Sequence, residues 1–175
     1  MQNQVTRPIE EYQDTVKSVR NILAFFATQK NTREERNAFW NQRTKQLLHN
    51  YHIMKQRATA ATGSPPAPIL LLYQSLQRGK TQFDMESILQ SPASCASICG
   101  YLETMMESYQ NIVAGRSEEQ RRCWRLLQSR YFSPVKKSMI ALCDQEHISK
   151  STFYRCESFA VHQLSVLLFG VVAVF

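Results

Sequence analysis

The sequence Ile148-Ser149-Lys150-Ser151-Thr152-Phe153-Tyr154-Arg155 predicts the start of a capped helix with a basic outer face. Ser149 is suited to the N-cap, because its side-chain oxygen can accept a hydrogen bond from an amide of the first turn. Helical spacing divides the residues that follow into two faces. The outward face carries Lys150, Ser151, Tyr154 and Arg155, and the inward face carries Phe153 and Cys156.

Two further helical patterns precede this one. Ser117 predicts the cap of the first, with Gln120 at the capping-box position and an apolar face of Cys123, Trp124, Leu127 and Tyr131. The second is predicted over 135–145, with Met139, Ile140, Leu142 and Cys143 inside, and the third runs from Ser149 to about Phe169, before Gly170. Three helices with a short last turn predict a tri-helical helix-turn-helix, in which Ile140, Cys143, Ile148 and Phe153 join the last two.

The upstream sequence is also helical in pattern, so the expected fold class is all-α. Helices are predicted over about 8–30, from Asn31 or Thr32 onward, and over 69–76, 83–90 and 93–113. Small residues and prolines interrupt the pattern at 58–68. We therefore divide the chain into an N-terminal helical hairpin (1–57), a Pro/Ala/Gly linker (58–68), connecting helices (69–115) and a C-terminal helix-turn-helix domain with an apolar tail (116–175).

Charge is unevenly distributed along the chain. The formal net charge is +7, with net charges of +4 in residues 31–57, −2 in 58–115 and +4 in 116–157. A basic surplus favours a polyanionic partner. The five cysteines form no CxxC pair and lie in apolar helical contexts, which is typical of a reduced, cytoplasmic core. No signal peptide is predicted, and the apolar run 164–175 is too short for the about 20 residues that span a bilayer.

The C-terminal third resembles a known group of proteins. Ala141-Leu142-Cys143 together with Ile148–Arg155 resembles the helix-turn-helix of sigma-factor region 4, and more closely that of ArpU/RinA-type phage and prophage transcriptional regulators. Tyr131-Phe132 and Leu167-Leu168-Phe169-Gly170 fit the same pattern, whereas His147 stands where such turns usually carry glycine, and Cys156 replaces an aromatic or aliphatic residue. The resemblance implies an activator of late phage genes that binds promoter DNA. We expect it to act without enzymatic activity in the cytoplasm of a bacterial host, at the nucleoid. It covers about a third of the chain.

The resemblance and the residue pattern together predict how double-stranded DNA is bound. Base contacts in the major groove are assigned to Lys150, Ser151, Tyr154 and Arg155, and phosphate contacts to Lys136, Lys137, Arg121, Arg122, Arg125 and Thr152. The N-terminal helices are expected to form a homodimer or to contact RNA polymerase. No membrane partner and no cofactor are expected.

Several alternatives stay open at this point. The basic residues Arg33, Arg36, Arg43 and Lys45 are interpreted as a solvated helix face, with a second phosphate-contacting surface as the alternative. Cys143 with His147, or Cys156 with His162, lacks the second matched pair of a zinc site, and no catalytic motif is present. The apolar tail after Gly170 fits core filling, a dimer contact or a membrane-surface segment. A phage DNA-packaging adaptor of the small-terminase type, or a helical protein-interaction module without DNA binding, would share most of these features.

Overall fold

The structure is a computed structural model that describes residues 33–64, 66–78, 84–135 and 137–170. Within these ranges the chain is all-α, as predicted. The helices are α1 (Arg33–Ala58), α2 (Pro68–Arg78), α3 (Met85–Leu89), α4 (Pro92–Ala114), α5 (Glu118–Tyr131), α6 (Met139–Glu146) and α7 (Lys150–Phe169). The predicted helix over 8–30, the caps Asn31 and Thr32, Lys136 and the tail 171–175 lie outside the described residues. None of the described helices is long and apolar enough to cross a membrane.

Helix α1 forms one wall of the core through a stripe of residues three or four apart. Trp40, Leu47, Tyr51 and Met54 are buried, and Phe39 is half-buried. The placement of Arg43 on a solvated outer face was wrong, because its residue exposure is 2%. Arg43 lies on the buried stripe, its guanidinium carbon 3.2 Å from the centroid of the Phe39 ring and its Nη1 donating to the Phe39 carbonyl at 3.0 Å. Burial lowers the pKa of this guanidinium to about 10.

The core is continuous from α1 to the last turn of α7. Helix α1 packs against α4 and α7, and α4 also contacts α7. The rings of Trp40 and Phe169 lie 4.6 Å apart between centroids, and the Tyr101 hydroxyl donates to the Leu168 carbonyl at 2.6 Å. Full burial of a large apolar side chain contributes about 1.5–3 kcal/mol, so these contacts fix the C-terminal half of α7 firmly to the body. The division of the chain into domains stays a prediction.

The sequence break at 58–68 coincides with the gap between α1 and α2. Gly63 has φ +83°, a conformation that side-chain-bearing residues rarely adopt. The connection is tied to the body, because Ser97 Oγ donates to the Pro66 carbonyl at 2.5 Å. Asp84 and Ser91 cap α3 and α4 through their side-chain oxygens, and Gly115 ends α4.

The last three described helices form the predicted helix-turn-helix arrangement. Helix α5 packs along α7, and α6 contacts both. The predicted start of α6 at Val135 was wrong by four residues, because Ser138 adopts extended backbone geometry and caps the helix through the Ala141 amide. The inner face of α6 was also partly wrong. Leu142 and Cys143 are buried, but Ile140 is 56% exposed and does not join α6 to α7.

Candidate nucleic-acid interface

The turn between α6 and α7 has the geometry of a Schellman motif. The Ile148 amide donates to the Cys143 carbonyl at 3.0 Å, and the His147 amide donates to the Asp144 carbonyl at 3.3 Å. His147 itself lies in the left-handed region, at φ 53° and ψ 50°. Glycine is usual at such a position, so the histidine adopts the required conformation at a steric cost. The turn predicted from the sequence is therefore present in spite of the departure at this residue.

Helix α7 begins where the sequence predicts. Ser149 is the N-cap, and its side-chain oxygen accepts a hydrogen bond from the Thr152 amide at 3.2 Å. The hydroxyl oxygens of Ser149 and Thr152 also lie 3.0 Å apart. The Thr152 hydroxyl therefore has a partner within its own helix turn. Its assignment to a phosphate contact stays a prediction.

The two faces of the helix start are separated as predicted. Phe153 and Cys156 are buried, and Tyr154 is 53% exposed. Lys150, Ser151 and Arg155 are exposed as well. The four residues assigned to base contacts therefore share one solvent-facing surface, which we call the α7 tip.

One residue of the α7 tip has an acidic neighbour. Arg155 Nη2 lies 3.4 Å from Glu119 Oε1 of α5, and 72% of the Arg155 side chain is exposed. An ion pair at that exposure contributes little energy, so the guanidinium can leave Glu119 for another acceptor at small cost. Lys150 and Ser151 have no hydrogen bond or ion pair from their side chains to any described residue.

Three arginines assigned to phosphate contacts lie in an ion-pair network between α5 and α6. Arg125 contacts Glu146 at 2.8 Å and Glu118 at 2.9 Å, Arg121 contacts Glu118 at 3.0 Å, and Arg122 lies 3.9 Å from Glu146. The hydrogen bond to Glu146 raises the pKa of Arg125, and hydrogen bonds from Arg125 and Arg121 lower the pKa of Glu118. The three guanidinium groups face two carboxylates, so the cluster keeps only one net positive charge.

Lys137, another predicted phosphate contact, directly precedes the Ser138 cap of α6. Lys137 is exposed, and its ammonium donates to the Gln145 amide oxygen at 2.7 Å. This partner is neutral, so the charge of Lys137 is not compensated by it. Lys136 precedes it in the chain but lies outside the described residues.

A buried polar cluster that the sequence did not reveal holds α7 to α5. Glu157, 6% exposed, accepts a hydrogen bond from the Tyr131 hydroxyl at 2.9 Å and contacts Arg130 Nε at 2.9 Å. The Arg130 guanidinium carbon lies 5.2 Å from the centroid of the Phe153 ring. Burial, and then Glu157, raises the pKa of Tyr131 to about 12. The sequence feature that could have revealed this cluster is the position of Glu157, four residues after Phe153 and therefore on the same buried face of the helix.

Each candidate metal-binding pair joins a buried cysteine to a less buried histidine. Cys143 is buried whereas His147 is exposed, and all five cysteines are buried free thiols. In the part of the chain that the structure describes, no group of three or more His, Cys, Asp or Glu residues is placed to hold a metal ion. Burial raises the pKa of Cys99 and of Cys123 to about 12, so these two thiols are poor nucleophiles.

Comparison with known proteins adds no relative to this description. No protein-family model, curated protein or solved structure matches the chain. The resemblance to ArpU/RinA-type regulators therefore depends on the sequence motifs of the C-terminal third alone.

Proposed function

We propose that this protein is a sequence-specific DNA-binding transcriptional regulator of late phage or prophage genes, acting without enzymatic activity in the cytoplasm of a bacterial host. The α7 tip would enter the major groove, with Lys150, Ser151, Tyr154 and Arg155 at the base edges. Arginine and lysine pair well with the O6 and N7 acceptors of guanine, so Arg155 and Lys150 are the residues we assign to guanine.

The observation that carries this proposal is that the α7 tip is exposed to solvent while the opposite face of the same helix is buried in the core. A capped helix start with a basic and hydroxyl-bearing outer face suits the donor and acceptor pattern of the major groove. Its inner face is fixed by Phe153 and Cys156, each 1% exposed. Side chains that read bases must be held in place, and this helix start is held by its core.

The phosphate contacts of the proposed complex would be fewer than the basic composition suggests. Arg121, Arg122 and Arg125 already face Glu118 and Glu146. Lys137 is exposed beside the helix-turn-helix with a neutral partner, so we assign it the strongest phosphate contact among the described residues. Lys136 is expected to add to it from the adjacent position in the sequence.

The proposal includes a role for the N-terminal helices. We infer that the N-terminal helical hairpin (1–57) mediates dimerisation or contacts RNA polymerase, because the linker at 58–68 separates it in sequence from the helix-turn-helix.

The test is selection of bound sequences from a random duplex pool at low salt, followed by a salt titration on the enriched duplex. A regulator should enrich one motif, and Arg155→Ala should relax the preference at one base pair of it. Arg57→Ala on α1 removes the same charge away from the tip and serves as the matched control. If no motif is enriched at low salt, the protein does not read DNA sequence.

The size of the assembly in solution separates this proposal from a packaging adaptor. A monomer or dimer is expected by light scattering for the regulator. A ring of many subunits that binds duplexes without an enriched motif would instead favour the small-terminase type of adaptor.

A further inference from the structure

A second basic surface lies between α1, the end of α5 and the start of α6. A pocket of about 230 Å³ is lined there by His49 and His52, by Arg130 and Tyr131, and by Lys137 and Ser138. Four of these side chains are basic or can be protonated, and each of the other described lining residues is uncharged. We call this pocket the basic cleft. Unlike the arginine cluster of α5, it has no carboxylate among the described residues of its wall.

The two cations of the basic cleft differ in how far they are compensated. Arg130 contacts the buried Glu157 through Nε at 2.9 Å, so its charge is shared with that carboxylate. Lys137 donates to the neutral Gln145 amide at 2.7 Å and keeps its full charge. The Lys137 ammonium therefore makes the electrostatic potential in the cleft positive.

His49 is oriented by its neighbours. Its Nδ1 lies 2.7 Å from the Lys45 carbonyl, an acceptor, so Nδ1 carries the proton. Its ring packs edge-on against Tyr131, with centroids 5.3 Å apart. This arrangement leaves Nε2 as the nitrogen available to a ligand, and on protonation that nitrogen becomes a second donor.

The wall of the cleft includes Ser138 and Met139, at the start of α6. Ser138 accepts a hydrogen bond from the Ala141 amide at 3.2 Å, and its carbonyl accepts one from the Leu142 amide. The two amides between them, of Met139 and Ile140, have no acceptor within the helix because they belong to its first turn. First-turn amides and the positive end of a helix dipole favour an anion.

We propose that the basic cleft binds a phosphate group. A lysine, two protonatable imidazoles and a half-buried arginine line it from three elements, and each is a type of group that donates hydrogen bonds to a phosphate oxygen. The ligand class we assign is a phosphate ester, because a DNA backbone phosphate and a phosphate-bearing small molecule present the same oxyanion. The ester is either a DNA backbone phosphate or a free phosphate-bearing small molecule. The site does not require that the α7 tip reads DNA.

The test is a titration of the full chain with inorganic phosphate, against chloride at matched ionic strength, followed by the NMR signals of the histidine rings. Saturable shifts of His49 and His52 are expected. Lys137→Gln should weaken the apparent affinity by roughly fivefold, as expected for loss of one exposed charge partner. Arg116→Gln removes one exposed positive charge just before α5, at the far end of that helix from the cleft, and should leave the titration unchanged.

Two results would overturn the proposal: shifts of the two rings that do not saturate, or a titration that Lys137→Gln and His52→Gln leave unchanged. Lys137 and His52 are not buried, so thermal unfolding monitored by circular dichroism should show both variants folded. Repeating the titration on the complex with a duplex identifies the source of the phosphate. Loss of phosphate binding assigns the cleft to the DNA backbone, and unchanged binding assigns it to a free ligand.

Discussion

Replacing His147 by glycine should stabilise the protein. His147 has φ 53° and ψ 50°, and its side chain is exposed. A left-handed conformation costs a side-chain-bearing residue about 1–2 kcal/mol, and glycine does not incur that cost. Glycine also gains freedom in the unfolded chain, which offsets about 0.5–1 kcal/mol of the benefit. Taking the middle of each range, about 1.5 less about 0.75 kcal/mol, the net expectation is a gain of about 0.75 kcal/mol in the free energy of unfolding.

The measurement is thermal unfolding of wild type and His147→Gly, followed by far-ultraviolet circular dichroism. For a chain of this size a gain of that magnitude raises Tm by roughly 2 °C. His147→Ala removes the imidazole but keeps the Cβ, so it should not raise Tm. Ala141→Gly places the same glycine within the exposed part of α6 and should cost about 1 kcal/mol. If His147→Gly lowers Tm as Ala141→Gly does, residue 147 is not in the left-handed region and the turn is built differently.

Four further outcomes are expected. Arg155→Ala should weaken the binding free energy on a selected duplex by about 1–3 kcal/mol, measured by fluorescence anisotropy, and equal weakening on every sequence would contradict a base contact. Glu119→Gln should tighten binding, because it releases Arg155 from its ion pair. Lys137→Ala should weaken binding to all duplexes alike and reduce the salt slope by about 1, and an unchanged slope would remove its assignment to phosphate. Glu157→Gln should lower the free energy of unfolding in urea by about 3 kcal/mol, because it breaks the buried ion pair with Arg130. A smaller loss than that of Tyr131→Phe would contradict the role of Glu157 as the acceptor shared by Tyr131 and Arg130. Because the pKa of Tyr131 is raised to about 12, its contribution to stability is complete below about pH 10 and is lost as the pH rises toward 12; the urea midpoint should fall less steeply there in Tyr131→Phe.

The helices that carry strong local signals were predictable from the sequence. Helix α7 starts after its Ser149 cap and ends before Gly170, and α5 starts after Ser117, as predicted. Capping depends on residues within one turn, so the information is local. The start of α6 was missed because Ser138, four residues into the predicted helix, satisfies the Ala141 amide with its own side chain.

The polar interior was not predictable in the same way. Arg43 has the residue type of a solvated face, yet it lies on the buried stripe of α1 and packs on Phe39. Long cationic side chains can bury their apolar stems, so residue type alone misplaces them. The pairing of Arg125 with Glu146 joins residues on separate helices, and only the packing of α6 on α5 brings them together. The candidate site was thus predicted at its exposed tip, whereas its electrostatic surroundings depend on tertiary contacts.

Helix α7 is both the proposed reading element and part of the central core. Its 20 residues correspond to a rod of about 30 Å, with Ser149 at one end and Phe169 packed on Trp40 at the other. A recognition helix joined by a flexible linker could reorient to reach half-sites at several spacings, whereas a helix packed into the core at its far end cannot. If two copies associate through the body, the distance between their α7 tips is set by that interface. Inserting one or two base pairs between operator half-sites should then abolish simultaneous engagement.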